Sequence, residues 1–477
     1  MNQLFVDRVD ELAFLEEKYR ENRAQLIVIY GRRRIGKTEL LLKFVRDKKY
    51  IYFLCEKTSS RLNMFKLARK MAEYLSRESF ARILFTDWED LFREFLEWKT
   101  SSEKVVIILD EFPYLIEVDK GIVSVFQKIW DTYLSKRSDI MLVLCGSSVG
   151  MMETEVLSYK SPLYGRRTGQ WKVTELKLPY IREFVPSYSF TEVIYIYGAL
   201  GGVPAYLCKL SPELSVFENI QKLFLRKGAE LYEEAENLLR QELREPRNYK
   251  LILEAIAEGK RRVSEIANAT SLDKAAVSRY IDTLELLEIV SYEAPVLEKP
   301  KTKKRLYYIR DNYFNFWFRY IYPNKDLIEE NRGKTVLEEI IADYNNYMST
   351  VFEKIAKDFL TKTALPLKIH RIGRHWWKTR RGESIEIDLL GFNKEKSEYL
   401  VAEVKWSKLN LLDVNRIYRN LTRKFNELNI GKKAYYCIIA KEIVEKKDIK
   451  RKYPELLLFD LKDIEKRYSS KTSSQLL

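Results

Sequence analysis

The sequence predicts a multidomain α/β protein, and three observations carry that prediction. The chain has 477 residues, too many for one compact core. Its first third alternates apolar strand-like runs with amphipathic helical stretches, the pattern of a parallel sheet covered on both faces. Between one such strand and helix stands Gly31-Arg32-Arg33-Arg34-Ile35-Gly36-Lys37-Thr38, which satisfies G-x-x-x-x-G-K-[ST] at every required position. The two glycines let backbone N–H groups face phosphate oxygens, Lys37 brings a charge to the outer phosphates, and the Thr38 hydroxyl is a ligand for Mg²⁺. Glu39 opens the following helix. The expected cofactors are ATP and Mg²⁺.

The elements follow in order. Strand-like runs at 25–30, 50–56, 104–111 and 139–146, a β-prone segment at 169–178, a helix-rich insert at 61–98 and a helix at 123–134 make residues 1–178 a P-loop NTPase core. Residues 179–243 turn helical, with a Gly-Gly-Val-Pro break at 201–204, and read as a helical lid. Residues 244–311 give three short helices and a basic hairpin, the pattern of a winged helix. An aromatic-rich helical connector spans 312–348. Residues 349–468 run helix, three strands, helix, strand (αβββαβ), and 469–477 form a polar tail expected to fray.

Composition narrows the partners. The 84 basic and 69 acidic residues give a net charge of +15, which points to nucleic acid first and an anionic membrane surface second. Four cysteines lie far apart with no C-x-x-C pair, so neither a zinc ribbon nor a redox motif is supported and a reducing cytoplasm is the simplest setting. The only histidines are His370 and His375, too few for a His-rich metal cage. The N-terminus lacks the build of a signal peptide and no apolar run reaches a membrane span, so no membrane association is expected.

The run 105–111 ends a buried strand in two carboxylates. Asp110 is placed to hold Mg²⁺ and Glu111 to orient and deprotonate the attacking water. The adjacent Asp-Glu pair favours the NTPase division in which this strand is not next to the loop strand; the strand between is 142–146. That strand delivers Ser147 and Ser148 beside the γ-phosphate, as phosphate sensors, water-positioning groups or a plain turn. Arg166 and Arg167 lie beyond it, where an arginine can stabilise charge on the transferred phosphoryl group in cis or from a neighbouring subunit.

Taken together, the opening FVDRVDEL, the loop GRRRIGKTEL, and the segments LDEFPYL, LCGSSVGMM, SPLYGRRTGQ and GGVPAYL resemble the archaeal-type ATPases of the AAA+/STAND-like P-loop group over residues 1–320. The resemblance implies that the segment 5–8, including Arg8, and Pro204 flank the adenine, that Pro204 acts from the lid, and that Arg166 or Arg167 is the arginine finger.

In the winged-helix segment, Val277, Tyr280, Ile281, Leu284 and Leu287 share one helix face, and Lys274, Ser278 and Arg279 share the other, where a recognition helix meets a major groove. Lys299, Lys301, Lys303, Lys304 and Arg305 crowd the hairpin turn, where cations reach phosphates. Docking of a protein partner is the alternative use of such a module. Further on, strands 384–391 and 399–406 flank a turn at 393–397. If that hairpin is symmetric about Glu395 and Lys396, Asp388 faces Glu403, Glu386 faces Lys405, and all four share one face. Two carboxylates can hold Mg²⁺ or Mn²⁺ and Lys405 can orient a water or stabilise phosphorane charge; a solvated, salt-bridged hairpin is the other reading of the same residues. With Glu353 on the preceding helix, Asp388 and Glu403-x-Lys405 resemble the PD-(D/E)XK nucleases over residues 349–465. Just upstream, Trp376, Trp377, Lys378, Arg380 and Arg381 read either as contacts to a nucleic-acid strand or as core tryptophans beside a surface turn.

The expectation is therefore a cytoplasmic, ATP-hydrolysing DNA-binding protein, able to form a homo-oligomer, with a metal-dependent nuclease-like domain and ATP state controlling DNA engagement. The alternative is a STAND-like nucleotide switch whose C-terminal domain binds nucleic acid without cutting it.

Overall fold

A computed structural model describes residues 5–243, 245–299, 302–379, 382–430 and 433–474, with side chains described as far as residue 469. The chain divides into two compact units, Met1–Leu176 with Val203–Cys208, and Lys177–Gly202 with Lys209–Leu477.

The first unit is built on five parallel strands: β1 (Gln25–Tyr30), β2 (Tyr50–Leu54), β3 (Val105–Asp110), β4 (Ile140–Gly146) and β5 (Gly169–Lys172). Their order is β2-β3-β4-β1-β5. Every residue of β1, β3 and β4 is buried. Their unbroken Val/Ile/Leu runs suit strands covered on both faces, whereas polar alternation would mark a solvated one. On one face Ile27, Ile29, Val106, Ile108 and Val143 pack on Leu40, Leu41 and Phe44 of the helix Lys37–Phe44. On the other, Leu26, Val28, Ile107 and Leu142 meet the insert, which folds into helices Ser60–Leu75, Glu78–Ala81 and Trp88–Trp98. The acid-bearing strand is thus separated from the loop strand by β4, as the adjacent carboxylates implied. The β-prone segment at 169–178 contributes only four residues of strand, paired parallel to β1.

Early in the second unit stand helices Phe190–Leu200 and Val216–Phe224, each opened by a capping box, Ser189 with Glu192 and Ser215 with Glu218. Gly201 ends the first at φ 64, ψ −157. The Val203–Cys208 segment just beyond it clusters with the first unit. The winged-helix module has helices Arg247–Ala257, Val263–Thr270 and Lys274–Leu286 and an antiparallel hairpin of β6 (Val290–Glu293) and β7 (Leu306–Ile309). Its stripe is as read: Val277, Ile281, Leu284 and Leu287 are buried, and Tyr280 packs edge-on against Tyr249.

One helix, Gly333–Lys362, runs unbroken for 30 residues across the expected boundary between connector and C-terminal domain. A five-stranded sheet follows: β8 (Arg371–Lys378), β9 (Ser384–Phe392), β10 (Glu398–Leu409), β11 (Lys433–Ile443) and β12 (Leu457–Phe459), in the order β12-β11-β10-β9-β8. β8, β9 and β10 are antiparallel neighbours; β11 and β12 extend the sheet in parallel. Helix Leu411–Glu427, capped by Asn410, joins β10 to β11. The last described element is helix Leu461–Ser474, which takes in the first residues of the expected polar tail; residues 475–477 lie outside the described residues. Among the described residues no helix is long and apolar enough to cross a membrane.

Candidate functional site

The loop after β1 wraps the start of its helix. Gly31 packs so tightly that a Cβ there would stand 2.2 Å from the Val173 carbonyl oxygen. Gly36 takes a left-handed φ of +89, and a Cβ on it would lie 3.9 Å from Cγ of Pro204. The residue that the resemblance placed at the adenine therefore lies against the loop. Arg8, 4% exposed, donates to the Ile35 carbonyl at 2.8 Å and pairs with Glu11 at 3.0 Å. The N-terminal segment thus braces the loop backbone. Lys37 is buried and donates to the Gly31 and Arg32 carbonyls, both at 2.9 Å. Burial pulls its ammonium below the ordinary lysine range. Arg33 donates to the Tyr114 hydroxyl at 3.1 Å, Ile35 is core, and Arg34 and Glu39 face outward.

At the end of β3 the two carboxylates diverge. Asp110 Oδ2 accepts from the Thr38 hydroxyl at 2.7 Å and from the Tyr52 hydroxyl at 2.9 Å. Two oxygen donors so close, on the loop helix and on β3, are the donor set a small hard cation takes. Glu111 adopts a left-handed φ of 53, which turns its side chain away from Asp110. Its Oε2 accepts from the Ser147 hydroxyl at 2.6 Å and the Ser147 N–H at 3.2 Å. Ser147, read from the sequence as a phosphate sensor, a water-positioning group or part of a plain turn, grips the second carboxylate. Arg166 is spoken for, donating to Asp131 at 2.8 Å and to the Pro162 carbonyl at 2.9 Å. Arg167 donates to Gln170 at 2.6 Å and to the Leu157 carbonyl at 3.1 Å. In this arrangement both arginines hold their own loop.

On the winged helix, Asp273 caps the third helix through the Ala275 and Ala276 N–H groups, both at 2.9 Å. Lys274, Arg279 and Lys303 are exposed, and their side chains make no ion pair or hydrogen bond among the described residues. Ser278 differs, because its hydroxyl donates back to the Lys274 carbonyl at 2.9 Å. Lys304 pairs with Glu298 at 2.5 Å, and Arg305 lies 4.1 Å over the Tyr292 ring. Lys301, Arg380 and Arg381 lie outside the described residues. Trp377 packs on the C-terminal core, the structural half of the two readings for that stretch.

The C-terminal hairpin has the expected register. Ala402 pairs with Leu389 and Val401 with Leu390, which carried one step further sets Glu403 across from Asp388. Asp388 accepts from the Val404 N–H at 2.9 Å. Burial and the nearby Glu403 raise its carboxyl. Lys405 meets Glu403 at 2.8 Å and Asp388 at 3.8 Å; Lys424, on the next helix, meets Glu403 at 3.1 Å. Glu353 is pushed up to about 7 by burial, with Asp388 adding to the rise and Arg374 opposing it, and it is ion-paired to Arg374. The expected metal set of Glu353, Asp388 and Glu403 is held in this arrangement by Arg374, Lys405 and Lys424. Among the described residues no group of three or more His, Cys, Asp or Glu side chains is disposed to hold a metal ion. The carboxylates are gathered, but arginine and lysine nitrogens take up their oxygens.

Three participants escaped sequence reasoning: Tyr52, Arg374 and Lys424. Tyr52 alternates with core residues on β2, and the two cations sit in a chain where Lys and Arg are everywhere, so no local pattern singles them out.

Comparison with known proteins agrees with this geometry. Residues 5–210 match the family described as "ATPase domain predominantly from Archaea", residues 317–417 "Archaea bacterial proteins of unknown function", and residues 250–292 "Bacterial regulatory protein, arsR family". The uncharacterized protein MJECL04 of Methanocaldococcus jannaschii is 41% identical over 465 residues, covering 96% of this chain and all of that protein. An uncharacterized ATP-binding protein of the same organism is 59% identical over 46 residues, 10% of this chain and 78% of its own length. Among solved structures, the Walker-type ATPase of Pyrococcus abyssi is 20% identical, covering 66% of this chain and 96% of its own at a TM-score of 0.45. The ORC2 protein of Aeropyrum pernix is 14% identical, covering 72% and 96% at 0.45. Both structural likenesses are too distant to carry an argument. The chain belongs to the same family as the Methanocaldococcus protein MJECL04: it is an archaeal-type ATPase with a winged-helix module.

Proposed function

We propose that this ATPase binds DNA and that its nucleotide state sets how the DNA is engaged. The observation that carries the reading is the trio Lys274, Arg279 and Lys303, exposed on a winged helix and with no side-chain partner among the described residues, in a chain where many cations are paired. Such groups supply phosphate contacts and release counterions on binding. At the nucleotide site, Lys37, Thr38 and Asp110 would hold Mg²⁺-ATP, which supplies the phosphoanhydride and the charge-neutralising ion. Glu111, aimed by Ser147, takes a proton from the attacking water. Pro204, against the loop, senses occupancy at the foot of the lid. Either Arg166 or Arg167 serves as finger only after leaving its loop partners. A second copy of the chain is the natural source of such a rearrangement.

The C-terminal domain is read as PD-(D/E)XK-type and metal-dependent, because one face of the hairpin gathers Asp388, Glu403 and Lys405 beside Glu353. The second reading, a nucleotide switch whose C-terminal domain binds without cutting, draws support from the arginine and lysines now on those carboxylates. Two assays separate them. Anisotropy of a labelled duplex should show salt-dependent binding that weakens in Arg279→Glu and Lys303→Glu; binding indifferent to both overturns the DNA reading. Incubating duplex, flap, junction and single-stranded DNA with Mg²⁺ or Mn²⁺ should give cleavage that disappears in Asp388→Ala. No cleavage of any substrate favours the switch.

A further inference from the structure

We propose that Arg374 is a latch by which the wing controls the C-terminal acid site, an inference that rests on the nuclease-type reading of that site. Arg374 stands on β8 with its side chain 13% exposed and faces carboxylates from three different elements. It is ion-paired to Glu353 of the long helix, meets Glu386 of β9 at 2.8 Å, and meets Glu293 of wing strand β6 at 3.4 Å. The wing is also fastened to the same residue by its backbone, since the Val296 N–H donates to the Arg374 carbonyl at 3.0 Å. Arg261, at the root of the wing, pairs with Glu293 at 3.0 Å, and its carbonyl accepts from the Tyr307 N–H of β7 at 2.7 Å. Glu293 therefore stands between one arginine of the DNA-binding module and one arginine of the acid site.

A guanidinium is permanently charged, planar and rich in donors, so on Glu353 it neutralises the carboxylate as a cation would. While it stays there, Glu353 cannot join Asp388 and Glu403 in holding a divalent ion, which accounts for the lack of such a group among the described residues. Arg374 already touches two other carboxylates, Glu293 and Glu386, and can move onto them without becoming an unpaired buried charge. That is a two-state element with a defined bias. Drawing the wing toward DNA shifts Glu293 and Val296, and Arg374 follows them off Glu353. DNA engagement thus prepares the acid site, and the unengaged protein keeps it closed.

The test is Mn²⁺ binding by the nucleotide-free full chain, read from the electron paramagnetic resonance signal of free Mn²⁺, with and without a duplex of about 30 base pairs. Asp388→Asn defines the background from other sites. Wild type should gain Asp388-dependent binding about tenfold on adding duplex. Arg374→Gln should show the tighter binding with no DNA present. Glu293→Gln, which removes the charged link to the wing and leaves the Val296 backbone bond, should lose most of the duplex effect. Circular dichroism melting checks folding, and Arg374→Lys, weaker at bidentate pairing, should fall between wild type and Arg374→Gln. Equal Mn²⁺ affinity in wild type and both Arg374 variants, with or without duplex, overturns the latch and leaves the nuclease-type reading standing. No Asp388-dependent Mn²⁺ binding in any protein overturns both.

Discussion

Replacing Ser147 by alanine is the sharpest probe of the hydrolytic site. Ser147 is 2% exposed and offers Glu111 two donors, its hydroxyl at 2.6 Å and its N–H at 3.2 Å. The substitution removes only the hydroxyl and leaves the backbone bond, so Glu111 stays near its place with its aim loosened. A hydrogen bond to a charged group contributes about 1.5–3 kcal/mol. If that contribution is felt in the transition state, at about 1.4 kcal/mol per tenfold in rate, kcat for ATP should fall about 10- to 100-fold. Nucleotide affinity should hold within about twofold, because among the described residues Ser147 bonds Glu111 and makes no hydrogen bond to the loop, so the interaction is one of the chemical step. Phosphate release under saturating ATP and titration of a fluorescent nucleotide read the two quantities separately. Ser147→Thr, which keeps the hydroxyl, should recover much of the rate. Unchanged or raised kcat in the alanine variant would refute the reasoning, as would a loss confined to affinity.

Three further outcomes follow from the geometry. Gly31→Ala should destabilise the ATPase unit enough to lower the melting temperature clearly, since its Cβ would stand 2.2 Å from a backbone oxygen; a melting curve like that of wild type contradicts the packing described. On the winged helix, Arg279→Ala should weaken duplex binding and reduce the salt dependence by about one counterion, while Ser278→Ala, whose hydroxyl already serves its own helix, should change affinity less than about twofold. His375 is buried, its Nδ1 has no partner among the described residues, and burial takes its imidazole down from 6.5 to about 4. Between those values the unfolded chain binds a proton that the folded chain refuses, so this residue makes stability rise with pH from about 4 to 6.5, by on the order of 3 kcal/mol. Urea melts at pH 4.5 and 7 should show a smaller pH difference in His375→Phe than in wild type, and equal differences would contradict the assignment.

What was legible in the sequence is what local chemistry dictates. The loop is written in two glycines, a lysine and a threonine, and the buried strands in unbroken aliphatic runs. Even the position of β4 between the loop strand and the acid strand was readable, because adjacent Asp110 and Glu111 imply it. The C-terminal hairpin register could be foreseen because a short turn and two alternating strands leave few choices. Tertiary partners were not legible. Nothing around Ser147 says that it holds Glu111, a contact 36 residues away in sequence, and nothing around Arg374 says that it gathers carboxylates from a helix, a strand and a wing. The long helix Gly333–Lys362 also hid its continuity: a change in composition near 348 reads as a boundary, while the backbone needs no break there.

If the nucleotide held by the Gly31–Thr38 loop governs DNA engagement elsewhere in the same chain, duplex affinity must follow nucleotide state. The direct measurement is the Kd for a labelled duplex with ATP, with ADP and without nucleotide, in Glu111→Gln to slow hydrolysis and in Lys37→Ala to remove nucleotide binding. The Kd should differ about tenfold between ATP and ADP in Glu111→Gln and show no nucleotide dependence in Lys37→Ala. A duplex affinity indifferent to nucleotide in Glu111→Gln, with ATP shown to be bound, would contradict it.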